Sequence, residues 1–299
     1  MTTSKSRAVL AAIVGNSIFG LSFLASKIAL SYTEPIMLLC LRFGIAFLLM
    51  NLLLLFRIVK VNFRKKNLLP LVLLGICQPV LYFVFENYGI KMSTSSFSGI
   101  MIGLVPIAGF FMGSLLIHET FSIKKLLWAC CSVLGVCLIS FSEKESGTTT
   151  GVGFLCLILA VLTAALYNTL SKKAADEFTA FERTYIMFLT GFILFFLISS
   201  ISYREQFVPE LAEAFCTFEV LLPALYLAVF SSVIAFFCLN YAVTYLTVQQ
   251  ATSYTNLTSI VSFAAGVLLL HESFTWLHLI SVAVILLGII RFNQCDILK

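Results

Sequence analysis

Three polar side chains recur along one apolar stretch of the sequence. Gln78, Tyr82 and Glu86 stand four residues apart, so a helix would place them on one face. Pro79 lacks an amide hydrogen, which frees a backbone carbonyl beside them and predicts a kink. Polar groups are costly in an apolar environment. The row therefore predicts either the lining of a polar cavity or a polar seam between packed helices.

Two charged side chains stand at similar depths in neighbouring apolar segments. At about 1.5 Å per helical residue, Glu86 lies roughly 7 Å and Arg42 roughly 9 Å from the same end. Lys27 closes the first apolar segment at that end. These three residues are predicted to serve in gating or coupling. Three alternatives stay open: Glu86 carries a proton, Arg42 or Lys27 binds a substrate carboxylate while Glu86 binds an ammonium, or Arg42 and Glu86 form a structural pair.

The composition indicates a membrane protein. Of the 299 residues, 60% are hydrophobic and 11% are charged, with a mean hydropathy of +1.04, whereas a soluble domain carries roughly 25% charged residues. The net charge of +5 is spread over short loops and not clustered as nucleic-acid binding requires. The nine cysteines include no Cys-x-x-Cys pair, so we expect no disulfide framework and no metal site. No cofactor is expected.

Ten apolar segments of about 20 residues predict ten transmembrane helices, and hence an all-α integral membrane protein. The longest polar stretch, at about 202–219, is a predicted loop. The predicted spans cover roughly 7–28, 36–56, 68–90, 94–117, 124–141, 151–172, 183–201, 220–243, 248–270 and 276–292.

The distribution of basic residues predicts the orientation. With the N-terminus in the cytoplasm, fourteen of the 19 lysines and arginines lie on the cytoplasmic side, four lie outside, and Arg42 lies within a span. Cytoplasmic loops carry an excess of basic residues, and the opposite orientation would invert this bias. Both termini are therefore predicted to be cytoplasmic, which requires an even number of spans.

A self-match at a constant offset of 153 residues indicates an internal repeat. Asn87-Tyr88 matches Asn240-Tyr241, and the His-Glu-x-Phe motif at 118–121 recurs at 271–274. A weaker match, at an offset of 145, aligns Ser26-Lys27 with Ser171-Lys172. The halves, 1–147 and 148–299, hold five spans each, and an odd number makes the second repeat enter the membrane inverted. Inverted repeats are a common plan of secondary transporters that work by alternating access.

The ordered motifs of the chain resemble those of the drug/metabolite transporter superfamily, specifically its EamA-type ten-span members. The resemblance implies export or exchange of amino acids and other small metabolites. Two departures are Phe19, where a tryptophan is frequent, and Ser259 at the counterpart of Pro106, which predicts an unbroken ninth span. The motifs are Phe19-Gly20 through Lys27, Leu41-Arg42-Phe43, Pro106, the turns at Glu119 and Glu272, and the glycines Gly135 and Gly288.

Polar and aromatic residues of five spans form the predicted substrate-binding set. A single serine or asparagine in a span more often bonds a neighbouring helix than a ligand. The prediction therefore rests on their convergence at one cavity, by analogy with the fold. The set is Asn16, Phe19, Phe23, Gln78, Tyr82, Tyr167, Asn168, Ser231, Ser253 and Asn256.

These features favour a secondary transporter, an exporter or exchanger of small amphipathic metabolites such as amino acids. No P-loop is present to drive transport by ATP. A membrane enzyme is disfavoured, because it would need clustered catalytic groups at membrane depth. A receptor is also disfavoured, because it would not need the internal repeat. A multidrug exporter remains an alternative because of the 29 phenylalanines. The expected partners are a small-molecule substrate and the lipid bilayer, with a homodimer left open. The expected location is the cell membrane, which for this resemblance means a bacterial inner membrane.

Overall fold

The computed structural model describes residues 3–59, 61–64, 66–118, 122–146, 149–272 and 276–295. Within these ranges the chain is helical and contains no strand. The α-helices are α1 Thr3–Ala29, α2 Pro35–Leu55, α3 Leu69–Gly75, α4 Tyr82–Lys91, α5 Ser95–Ile102, α6 Val105–Ile117, α7 Ile123–Ser146, α8 Gly151–Ala174, α9 Ala180–Tyr203, α10 Phe207–Cys216, α11 Phe218–Tyr226, α12 Phe236–Tyr245, α13 Val248–Ser253, α14 Thr255–Leu269 and α15 Trp276–Gln294.

Helices of membrane-spanning length and composition dominate the described residues. Seven segments are long and apolar enough to cross a bilayer, which makes this an all-helical, multi-pass membrane protein. The other three predicted spans fall on α7, on α13 with α14, and on α15. The total of ten stays a prediction. The seven segments are Ser4–Ala29, Pro35–Leu55, Leu69–Lys91, Ser95–Ile117, Gly151–Ala174, Ala180–Cys216 and Phe218–Tyr245.

Two spans are interrupted at positions that the repeat relates. A π-helical segment, Ile76–Leu81, separates α3 from α4, and another, Leu227–Ala235, separates α11 from α12. In the first, Gln78 leaves the helical conformation, with φ −149° and ψ 116°, next to Pro79. The kink predicted at Pro79 is confirmed. π-Helical turns inside α-helices are frequent at functional sites because they redirect side chains.

The ninth predicted span is also broken, so the expectation of an unbroken helix is wrong. Helix α13 ends at Ser253 and α14 begins at Thr255. The Thr252 hydroxyl donates to Val248 O at 2.8 Å, and the Ser253 hydroxyl donates to Gln250 O at 2.7 Å. Such bonds compete with the helix's own backbone hydrogen bonds and bend the helix. Hydroxyl groups therefore accompany the break in the ninth span, whereas Pro106 accompanies the corresponding break in the fourth span.

The predicted polar loop at 202–219 contains a helix, α10. Its apolar residues Phe207 and Ala214 are buried, whereas Glu210 is half-buried and Glu213 exposed. The pattern is that of an amphipathic helix, which the glutamates of this stretch obscure in the sequence. Helix α10 packs against α2, α9 and α11 at one end of the bundle.

The two ends of the bundle carry different loops. At one, which we call the Glu34 end, Lys91 forms an ion pair with Glu34 and α10 packs nearby. At the other, the Glu177 end, Lys66 donates to Glu177 O at 2.8 Å and forms an ion pair with Glu182 at 3.2 Å.

An aromatic core joins the helices between these ends. The Phe43 ring contacts those of Phe83 and Phe188, with centroids 5.3 and 5.6 Å apart. The Phe236 ring packs edge-on against Phe19 at 5.0 Å and also contacts Phe83 and Phe188. Segments from both halves of the chain therefore share one core.

Glu272 ties the two halves together at the Glu34 end. Its carboxylate accepts hydrogen bonds from Ser95 N at 2.7 Å and Ser96 N at 2.9 Å. These are among the first amides of α5, which have no partner within their own helix. A negative charge at a helix N-terminus is also favoured by the helix dipole. Glu119, the counterpart of Glu272 in the matched motif, lies outside the described residues.

We expect Glu272→Gln to destabilise the protein by about 2 kcal/mol, because hydrogen bonds to a charged group contribute about 1.5–3 kcal/mol. Thermal unfolding in detergent measures the change. Glu219→Gln is the matched control, since Glu219 is exposed at the start of α11. Equal unfolding temperatures for the two variants would contradict the assigned role of the Glu272 carboxylate.

Candidate functional site

A narrow cavity lies where both halves of the chain meet. Its volume is about 40 Å³, which is close to the share of one water in the liquid, about 30 Å³. A solute much larger than water would fit only if the surrounding helices moved apart. The lining residues are Asn16, Phe19, Gln78, Tyr82, Ile102, Val105, Ala164, Tyr167, Asn168, Leu239, Thr255 and Thr258.

Six of the ten predicted substrate-binding residues line this cavity. They are Asn16, Phe19, Gln78, Tyr82, Tyr167 and Asn168. Gln78 reaches it from the irregular turn beside Pro79, and Tyr82 follows at the start of α4. The polar row predicted on the third span thus borders the cavity with its first two members, whereas Glu86 lies further toward the Glu34 end.

The other four lie elsewhere. The Phe23 ring is fully buried in the aromatic core. Ser231 accepts a hydrogen bond from Arg42, and Ser253 donates to a backbone carbonyl of its own helix. Asn256 is half-buried, and its Oδ1 is buried with no hydrogen-bond partner. None of the four is among the residues that line the cavity.

Four residues that line the cavity from the fourth and ninth spans were not predicted. They are Ile102, Val105, Thr255 and Thr258. Thr255 and Thr258 stand 153 residues after Ile102 and Val105, so each pair is related by the repeat offset. The Thr258 hydroxyl donates to Asn16 O at 2.9 Å. The internal repeat could have predicted them, because a lining position on the fourth span implies one at the matched position of the ninth span.

Arg42 and Glu86 lie beyond Tyr82, toward the Glu34 end. The Tyr82 hydroxyl donates to Glu86 Oε1 at 2.7 Å. Arg42 donates from Nε to Ser232 Oγ at 2.9 Å and from Nη2 to Ser231 Oγ at 2.8 Å. The guanidinium also lies over the Phe83 ring, with Cζ 4.0 Å from the centroid, a cation–π geometry.

Lys27 and its repeat counterpart Lys172 cap equivalent helix ends. Lys27 Nζ donates to Ile90 O at 3.0 Å and to Ser93 O, at the C-terminus of α4. Lys172 Nζ donates to Thr244 O at 3.1 Å and to Leu246 O at 2.8 Å, at the C-terminus of α12. Carbonyls in the last turn of a helix lack partners within it, and the helix dipole favours a cation there. Each lysine therefore links the helix that carries it to the end of a broken span.

A denser polar network lies near the Glu177 end. Arg183 Nη1 donates to Ser171 O at 2.6 Å and to Ser171 Oγ at 2.7 Å, and Nη2 donates to Asn240 O at 2.8 Å and to Thr244 Oγ1. Asn240 Oδ1 accepts from the hydroxyl of the cavity residue Tyr167 at 2.8 Å. The network joins α8, α9 and α12 directly behind one wall of the cavity. Arg183 was predicted only as one of the fourteen cytoplasmic basic residues.

The chemistry of this site is recognition by hydrogen bonds, aromatic rings and buried charges. Amide, phenol and hydroxyl groups reach the cavity between apolar side chains, a mixture typical of small-molecule sites. Among the residues that the structure describes, no group of three or more histidine, cysteine or acidic side chains is arranged to hold a metal ion.

Comparison with known proteins identifies the family. The chain matches the EamA-like transporter family over residues 6–141 and again over 151–293. It is 31% identical over 290 residues to a Bacillus subtilis (strain 168) protein named uncharacterized transporter YcxC, covering 96% of this chain and 92% of that protein. It is 26% identical over 285 residues to uncharacterized transporter YetK of the same organism, covering 93% and 82%.

A solved structure adds information on the fold alone. A crystal structure titled only as that of a protein superimposes with a TM-score of 0.69 at 16% identity, covering 97% of both chains. The family matches two segments in tandem, and the match to YcxC covers nearly the full length of that protein. The helical membrane fold agrees with both findings. The chain belongs to the EamA-like transporter family.

Proposed function

We propose that this transporter is a secondary carrier that exports or exchanges small amphipathic metabolites such as amino acids, by alternating access around the cavity. It has ten spans in two inverted repeats, residues 1–147 and 148–299. The observation that carries the proposal is that residues of both repeats line one cavity, in part at matched positions. Two similar halves around a shared site can open it to either side at similar energy.

The packing of the helices supports a two-fold repeat. Helix α1 packs against α12 and α14, while its counterpart α8 packs against α4 and α6, the counterparts of α12 and α14. The pairs α2 with α9 and α7 with α15 exchange into themselves. Each of these contacts thus maps onto its counterpart or onto itself when the repeats are exchanged. The two family segments also fall on either side of residues 147–148.

The orientation is that both termini face the cytoplasm. The Glu177 end, which carries Arg64, Lys66, Lys172 and Lys173, is then cytoplasmic, and the Glu34 end, with the glutamates of α10, faces outward. This arrangement follows the excess of basic residues in cytoplasmic loops and suits a bacterial inner membrane.

Uptake into proteoliposomes tests the proposal. We expect saturable uptake of one or more labelled amino acids or related metabolites, measured with and without a pH gradient and with unlabelled compound inside. Gln78→Ala removes a polar group that lines the cavity, and we expect it to lower uptake about tenfold, as the loss of about 1.4 kcal/mol of binding would. Gln206→Ala, at an exposed glutamine before α10, is the matched control and should leave uptake unchanged.

Three results would contradict this proposal. The absence of uptake for every compound, even with counter-substrate inside, would contradict the proposal of a metabolite carrier. Uptake confined to bulky lipophilic cations would favour the multidrug exporter instead. Equal uptake by Gln78→Ala and Gln206→Ala would place the substrate outside the cavity.

A further inference from the structure

Arg42 is a fully buried cation whose hydrogen-bonding capacity is only partly used. Its side chain has 0% exposure. Nε and Nη2 bond two serine hydroxyls, but Nη1 is buried without a partner. A guanidinium carries five N–H donors in a planar fork, and a buried donor left unsatisfied costs free energy. The unpartnered edge of Arg42 therefore suits an acceptor that is not part of the protein.

Glu86 is the matching buried carboxyl group, and no ion pair joins it to Arg42. It is 2% exposed and accepts a hydrogen bond from Tyr82. Within the described part of the chain, no lysine, arginine or histidine nitrogen lies within 4.0 Å of its carboxylate. Ser231 and Ser232 hold the guanidinium on the side of the eighth span, and Tyr82 holds the carboxylate on the third span. The direct ion pair that the sequence left open is therefore absent from this conformation.

We infer that Arg42 and Glu86 are two poles of the substrate site, Arg42 binding a carboxylate and Glu86 binding an ammonium group of one zwitterionic molecule. The inference rests on the proposed function and specifies which residues select the substrate. Tyr82 connects the poles to the cavity, because its ring lines the cavity while its hydroxyl bonds Glu86. An ammonium group that arrives from the cavity replaces that hydroxyl as the donor to Glu86.

Charge balance favours a zwitterion over a simple ion. Isolated buried charges are strongly disfavoured in a low-dielectric interior. Arg42 and Glu86 together are neutral, and a zwitterion between them keeps the site neutral while pairing both charges. An anion alone would leave the site with one excess negative charge, and a cation alone with one excess positive charge. Lys27 does not take the carboxylate in this conformation, since its Nζ caps the carbonyls of Ile90 and Ser93.

Competition among three matched compounds tests the inference in proteoliposomes. The compounds are an amino acid that gives saturable uptake, its amide, which lacks the carboxylate, and its N-acetyl derivative, which lacks the ammonium group. We expect wild-type protein to prefer the free amino acid over both derivatives by at least tenfold, the effect of about 1.4 kcal/mol. Because this measurement needs no variant, it decides the matter even if a substitution prevents folding.

Two variants separate recognition from a purely structural role. Glu86→Gln should lose the preference over the N-acetyl derivative and keep the preference over the amide, and Arg42→Gln should show the reverse. Arg64→Gln and Glu205→Gln, at exposed positions, are matched controls that should keep both preferences. If the two residues had a purely structural role, each substitution would weaken the binding of all three compounds equally.

The outcomes also separate this inference from the proposed function. Equal acceptance of all three compounds by wild-type protein, or saturable uptake of uncharged or singly charged solutes alone, would overturn the two-pole site and leave transport intact. Lack of uptake for a panel of amino acids, sugars, organic anions and cations would remove the proposed function, and with it this inference.

Discussion

Arg183→Met should be among the most destabilising single substitutions in this protein, at about 3–5 kcal/mol. Arg183 is 1% exposed and bonds Ser171, Asn240 and Thr244 through both terminal nitrogens. Ser171 O belongs to the last turn of α8. Methionine fills a similar volume but removes the arginine donors from Ser171 O and Asn240 O, of which Asn240 O keeps only the Thr244 hydroxyl as a side-chain donor. A buried acceptor left without its donor costs about 1–3 kcal/mol. Thermal or chemical unfolding in detergent measures the loss.

Two further variants show whether the planar fork of Arg183 is responsible. Arg183→Lys keeps the charge but cannot serve both sides of the fork at once, so it should recover only part of the stability. Arg64→Met removes an exposed arginine at the same end of the bundle and should have little effect. If the Arg183→Met and Arg64→Met proteins unfold alike, the network around Asn240 does not hold α8, α9 and α12 together.

The patterns that survive from sequence to structure are those that depend on local spacing. The apolar segments follow from composition, and the kink follows from Pro79. Gln78 and Tyr82 both line the cavity, although Gln78 itself leaves the helical conformation. The row predicts a shared face, and two of its members do border the cavity. Helical periodicity is a property of one chain segment, so one sequence suffices to read it.

The features that the sequence did not predict depend on how helices are rotated against each other. Ser253 and Asn256 were assigned to the cavity, but Thr255 and Thr258 line it, which is a difference of two positions on a helix interrupted at Tyr254. Tilt and rotation are set by packing against neighbouring helices and not by the hydrophobic pattern. The bonding of Arg183 is of the same kind, since its partners stand 12 and 57 residues away.

Lys27→Met and Lys172→Met should loosen opposite ends of the transporter. Each lysine makes two hydrogen bonds to carbonyls at the end of a broken span. Loss of about 2 kcal/mol at one end raises the open population there roughly 30-fold. Hydrogen–deuterium exchange followed by mass spectrometry measures it. Lys27→Met should speed exchange around residues 90–98, and Lys172→Met around residues 243–249.

The two effects should differ in size because the end of α12, unlike that of α4, also bonds a buried arginine. Arg183 also bonds Asn240 O and Thr244 Oγ1, so it still holds the end of α12 when Lys172 is replaced. At the offset of 145 residues its counterpart is Leu38, an apolar side chain. We therefore expect Lys27→Met to increase exchange more than Lys172→Met, and Lys172→Met combined with Arg183→Lys to remove the difference.

Lys173→Met is the control for these measurements, because Lys173 is the exposed neighbour of Lys172. It should leave exchange at both ends unchanged. Faster exchange at both ends in either lysine variant would indicate general destabilisation and contradict separate contacts at the two ends. With separate contacts, the end of α12 is joined to α8 and α9 by three side chains, those of Lys172, Arg183 and Asn240.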